Sequence, residues 1–120
     1  MANPFVHIEL STTDLPKAKA FYGQLFGWKL TDNQMDQGTY TLVDVGDGVG
    51  GGMMQQMMPG AGSAWLAYVA VDDLAASTSK TRELGAHVMM DSMEVPNMGT
   101  FSIFTDPTGA MLALWQPKTP

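Results

Sequence analysis

Six consecutive residues, Gly38-Thr39-Tyr40-Thr41-Leu42-Val43, return almost unchanged in kind as Gly99-Thr100-Phe101-Ser102-Ile103-Phe104. The same offset pairs Gly48 with Gly109, Gly52 with Ala113 and Gln55 with Gln116. Nearer the start, Asp14-Leu15 answers to Asp73-Leu74, and in that frame His7 answers to Leu66. A chain of 120 residues written twice over must fold as two similar halves, each too small to cover its own apolar surface.

Each half reads as a strand, a helix and three more strands. Phe5 to Leu10 alternates strictly, with Val6, Ile8 and Leu10 on one face and His7 and Glu9 on the other. Asp14 caps a helix carrying Ala18, Phe21, Tyr22, Leu25 and Phe26 at helical spacing, with Pro16 in its first turn and Gly27 ending it. Trp28 to Leu30 is a strand, Asp32 to Gly38 a polar loop and Thr39 to Val45 a strand, and a glycine-rich run then leads into Met53-Met54-Gln55. Pro59 to Ser63 is a connector by composition. The second half repeats the order: strand Trp65 to Val71, a helix from the Asp73 cap to Leu84, then strands Ala86 to Met90, Thr100 to Thr105 and Met111 to Gln116. Asp106-Pro107-Thr108-Gly109 supplies the last turn.

The expected class is α+β: one domain, 1–120, of two βαβββ units at approximately 4–58 and 64–117, related by a pseudo-twofold axis. Their sheets should enclose a cavity with the helices outside. Val6, Ile8 and Leu10 are expected beneath the first helix, and Ala67, Val69 and Val71 beneath the second. The opposite parity, His7, Glu9, Gly52, Met54, Leu66, Tyr68, Met111, Ala113 and Trp115, is expected to line the cavity.

Composition narrows what such a cavity serves. Twelve acidic against six basic residues give a net charge of −6, which argues against nucleic acid or an anionic membrane as partner. With no cysteine there is no disulfide, thiolate metal site or cysteine nucleophile. No apolar run is long enough to span a membrane, and the start of the chain shows no secretory pattern, so a cytoplasmic location is expected. The glycine run lacks the Lys-Ser/Thr of a phosphate loop. Eleven methionines suit a permissive pocket wall, core filling or a subunit interface. His87 is expected at the surface or an edge, and Asp91 and Glu94 in a solvated loop.

The order of these features resembles the glyoxalase/bleomycin-resistance/extradiol-dioxygenase group, the vicinal oxygen chelate superfamily, in its short glyoxalase-related branch. The likeness rests on His7 in the first strand, Asp14-Leu15 with Phe21-Tyr22 and Leu25-Phe26-Gly27-Trp28, then Val71-Asp72-Asp73-Leu74, Leu84-Gly85-Ala86, and Asp106-Pro107-Thr108-Gly109 through Leu114-Trp115-Gln116. The resemblance implies a homodimer, and four metal-ligand positions that fall here on His7, Gly52, Leu66 and Ala113. Only one of those four is a metal-binding residue type, so neither metal nor other cofactor is expected.

His7 and Glu9 remain as the polar corner, near enough for a direct or water-bridged hydrogen bond that would raise the imidazole pKa. The expected function is binding of a small organic ligand in a metal-free cavity. The alternative is a glyoxalase-like lyase or isomerase using His7 and Glu9 as catalytic residues, with or without a divalent metal.

Overall fold

The computed structural model describes residues 2–36 and 38–119. Among these residues are eight strands and two helices: β1 (Phe5–Thr12), α1 (Leu15–Phe26), β2 (Lys29–Met35), β3 (Gly38–Asp44), β4 (Gly51–Gln55), β5 (Ala64–Ala70), α2 (Leu74–Glu83), β6 (His87–Val95), β7 (Gly99–Thr105) and β8 (Met111–Pro117). The α+β class and the order of elements are as the repeat requires. The chain forms two compact units, one of His7–Leu66, the other of residues 2–6 with 67–119.

In the His7–Leu66 unit the strands run in the order β2-β3-β4-β1, with β4 parallel to β1 and the other neighbours antiparallel. Leu10, Leu15, Val43 and Met53 form its buried core, with Ala18, Tyr22, Trp28, Leu30 and Val45 packed against them. Alternation fixes which face this is. Leu10 is aligned with Met53 and Met53 with Thr41, so all three project toward the helix side, as do Leu30 and its partner Val43.

In the other unit the order is β5-β8-β7-β6, with β8 parallel to β5 and the other neighbours antiparallel. Val71, Leu74 and Leu114 are its core, joined by Phe104. Beneath α2 the fully buried Thr78 hydroxyl lies 2.9 Å from that of Ser102, whose oxygen also accepts the Ser92 N–H at 3.0 Å. That pairing lets two hydroxyls occupy a packed layer.

The repeat also explains the two glutamines. Gln55 Oε1 accepts the Leu15 N–H at 3.1 Å, and Gln116 Oε1 accepts the Leu74 N–H at 2.7 Å. Each glutamine, at the end of its parallel strand, thus satisfies an N–H that a helix cannot pair internally. Asp14 and Asp73 cap the same helix starts, at 3.1 Å from Lys17 N and 3.1 Å from Ala76 N.

Several expectations fail in instructive ways. Val6 and Ile8 are exposed, and only Leu10 of that trio is buried, because alternation assigns a face but not a depth. Phe21, Leu25 and Phe26 are likewise exposed, the apolar stripe of α1 being wider than the core it covers. Residues 32–35 continue β2 rather than forming a loop; Gln37, in the same expected loop, lies outside the described residues. Strand β6 runs on through Asp91 and Glu94 to Val95, with two register shifts and Ser92 at φ 54°. Asp91 pairs there with Arg82 at 2.7 Å. Among the described residues, no helix is long and apolar enough to cross a membrane.

Candidate functional site

The face of the first unit opposite α1 carries the polar group. Ile8 to Thr12 of β1 align with Gly51 to Gln55 of β4, so Glu9 stands beside Gly52 and Ser11 beside Met54. On the far side of β4, Leu42 aligns with Gly52 and Tyr40 with Met54. Side chains of aligned residues share a face, which puts His7, Glu9, Gly52, Met54, Tyr40 and Leu42 together.

Tyr40 is the residue that sequence reasoning missed. Its hydroxyl lies 2.9 Å from Glu9 Oε1, to which it donates, and 2.8 Å from His7 Nε2. The expected link between His7 and Glu9 is therefore made through a phenol. A hydroxyl has one proton, and Tyr40 gives it to Glu9, so Nε2 of His7 must donate to the phenol oxygen. The chain imidazole–phenol–carboxylate thereby selects the Nε2–H tautomer, with the two rings 18° from parallel.

Gly52 makes this arrangement possible. A Cβ there would overlap the Tyr40 hydroxyl and ring, so the missing side chain is the gap through which Tyr40 crosses β4 to reach β1. A sequence signal for Tyr40 existed. It is the polar member of the pair Tyr40/Phe101, in the half that also has His7 where the other has Leu66.

The expected rise in the His7 pKa is also corrected. Burial, which disfavours the imidazolium, pushes His7 below its ordinary value, and the Glu9 carboxylate recovers only part of that. At neutral pH this favours the uncharged imidazole.

In the second unit, Tyr68 aligns with Ala113 and Ala70 with Trp115. Tyr68 and Ala113 are buried and Leu66 is half-buried, the latter belonging by compactness to the first unit. Tyr68 meets the edges of Phe101 and Trp115 at centroid distances of 6.1 and 6.5 Å. Phe101, aligned with Trp115, was also missed as part of this aromatic face. Met111, at the start of β8, is half exposed. The Trp115 indole packs on Gly99, where a Cβ would come within 2.7 Å of it.

Trp65 makes edge contacts with Tyr22 and Trp28 at 5.4 and 6.5 Å, aromatic residues of the α1 side. His87 is exposed on β6.

A divalent metal does not fit the donors present. Gly52 offers no donor, its space is filled by Tyr40, and His7 Nε2 is engaged by the same phenol. Among the described residues, no group of three or more His, Cys, Asp or Glu side chains is arranged to hold an ion.

Comparison with known proteins agrees with this architecture. The model of the Glyoxalase/Bleomycin resistance protein/Dioxygenase superfamily matches residues 5–114, and the chain belongs to that superfamily. It is 38% identical over 115 residues to CFP32 of Mycobacterium tuberculosis, a protein that carries the name glyoxylase, covering 91% of this chain and 44% of that one. It is 31% identical over 127 residues to the anthracycline biosynthesis protein DnrV of Streptomyces peucetius, covering 90% and 45%. The chain thus spans a little under half the length of these curated relatives. The crystal structure of methylmalonyl-CoA epimerase from Mycobacterium tuberculosis shares the fold, with a TM-score of 0.72 at 17% identity over 96% of this chain and 88% of that one.

Proposed function

We propose that this is a cytoplasmic protein that binds a small organic ligand without a metal, with His7, Glu9 and Tyr40 as its polar anchor. The observation that carries the reading is the Tyr40 hydroxyl, within hydrogen-bond distance of both His7 and Glu9 beside a glycine that brings no metal donor. Gly52, Met54 and Leu42 give the anchor an apolar surround, the combination common to ligand sites. Leu66, Tyr68, Met111, Ala113 and Trp115 are proposed as further apolar ligand contacts. The relation to an anthracycline biosynthesis protein supports a small organic molecule as the ligand class.

The test is a titration of chelator-treated protein with zinc, nickel, manganese and iron(II), followed by calorimetry and melting temperature. None should bind tightly at one equivalent. Tight binding that disappears in His7→Ala would overturn the metal-free reading and favour a lyase or isomerase of glyoxalase type. The neutral state of His7, suited to accepting a proton, is what favours that second reading.

We further propose a homodimer. Phe5, Val6, Phe21, Leu25, Phe26 and Trp65 are all exposed by 39% or more, large apolar side chains that a second copy of the chain would cover. Light scattering at micromolar concentration should give twice the chain mass; the mass of a single chain would sink this.

A further inference from the structure

The face of the second unit opposite α2 carries a cluster of soft donors that is independent of the ligand-binding reading above and shares only Met111 with it. Strand parity fixes the face. Ser102 and Phe104 of β7 turn toward α2, so Phe101, Ile103 and Thr105 turn away from it. Thr105 is aligned with His87 on one side and with Met111 on the other, which sets an imidazole and a thioether in one row with a hydroxyl between them. A bulge in β6 adds a second thioether. Val88 is aligned with Phe104 and Met90 with Ile103, so Met89 is the extra residue, and its side chain turns back onto Thr105, whose hydroxyl donates to Sδ at 3.0 Å. His87, Met89 and Met111 are all exposed, and Met90, aligned with Ile103, belongs to the same face.

Neighbouring side chains in such a row stand about 5 Å apart, so the Cβ atoms of His87 and Met111 are about 10 Å apart across Thr105. Over that span an imidazole nitrogen and a thioether sulfur, reaching toward each other, meet one ion at about 2.0–2.3 Å. Met89 Sδ is held at the middle of the row by Thr105; a thioether has two lone pairs, and the hydroxyl uses one. Softness then selects the ion. One imidazole and two uncharged thioethers give a hard divalent ion neither the oxygens nor the negative charge it requires, whereas thioether sulfur favours a soft monovalent one. The carboxylate next in the chain to Thr105, that of Asp106, has its Oδ1 given to the following turn, where it accepts the N–H groups of Thr108 and Ala110. The net charge of −6 draws a cation toward the molecule. We propose that His87, Met89 and Met111 form a binding site for copper(I), with the Thr105 hydroxyl positioning the Met89 sulfur.

The experiment uses the full chain with its methionine methyl groups labelled with ¹³C, titrated without oxygen with copper(I) supplied as its acetonitrile complex. The Met89 and Met111 methyl signals and the His87 ring should move together and stop at one equivalent. Met57 and Met58, equally exposed but in the other unit, should stay in place until that point. Met89→Leu and His87→Gln should each weaken binding about tenfold or more in competition with a copper(I) chelator. Leucine keeps the volume of methionine, so the first of these changes removes the sulfur and little else. Silver(I), with the same charge and softness, should move the same methyl groups on the unsubstituted protein, so the assignment does not hang on the variants. Zinc should move none of them at one equivalent. The proposal is overturned by shifts spread evenly over all exposed methionines, by no shift at one equivalent, by affinity unchanged in the Met89→Leu, Met111→Leu double variant, or by zinc binding as tightly as copper(I).

Discussion

Replacing Tyr40 by Phe should cost about 1.5–3 kcal/mol of stability, because one hydroxyl is shared by an imidazole and a carboxylate that are both half-buried. For a domain of this size that is a fall of roughly 5–10 °C in melting temperature. The ring is retained, so packing against β4 survives and the loss reports the hydrogen bonds alone. A melting temperature within about 1 °C of the parent would mean that the bridge does not form in solution.

The acid limb of the stability profile is the companion readout. His7 has a folded pKa below its ordinary value of 6.5, so between the two values the unfolded chain holds the proton and the folded chain does not. Stability should therefore be fully present above about pH 6.5 and decline as pH falls through the folded value. His7→Gln should remove that part of the slope, and the imidazole should titrate below 6.5 by NMR. A titration at or above the ordinary value would show that Glu9, rather than burial, governs the group.

How much of this could be read from the sequence depends on how local each cause is. Alternation is local, and it placed His7, Glu9, Gly52 and Met54 on one face and Leu10 on the other. The repeat is local too, and it paired Gln55 with Gln116 before their common work at the two helix starts could be seen. It could not say that the paired glycines Gly38 and Gly99 serve different ends. Gly38 sits at φ 124°, whereas Gly99 has no positive φ and instead makes room for Trp115.

Strands β2 and β6 were legible only in part. They lie last in the strand order of their units, where polar residues such as Asp32, Asn33 and Asp91 remain solvated and so imitate a loop. Least legible was the Tyr40 bridge. It depends on the register of β3 against β4 and of β4 against β1 together, and neither register is written in any short stretch of the chain.

That dependence leads to the largest effect expected from one added methyl group. Gly52→Ala places a Cβ on the hydroxyl and ring of Tyr40, so the ring must leave β1 and both bridge hydrogen bonds break. Overpacking costs about 1–3 kcal/mol and the lost bonds add a comparable amount, giving about 3–5 kcal/mol in all. In a Tyr40→Ala background the obstacle is gone, and Gly52→Ala should cost only a few tenths of a kcal/mol. The two changes should therefore couple by about 2 kcal/mol or more, measured from denaturant midpoints of the four proteins. Gly51 supplies the control. A Cβ there would overlap the backbone carbonyl of Ile8, which no substitution at position 40 can move. Gly51→Ala should be destabilising with or without Tyr40, and equal rescue of both glycine variants by Tyr40→Ala would show that Gly52 is not the opening through which the phenol reaches His7 and Glu9.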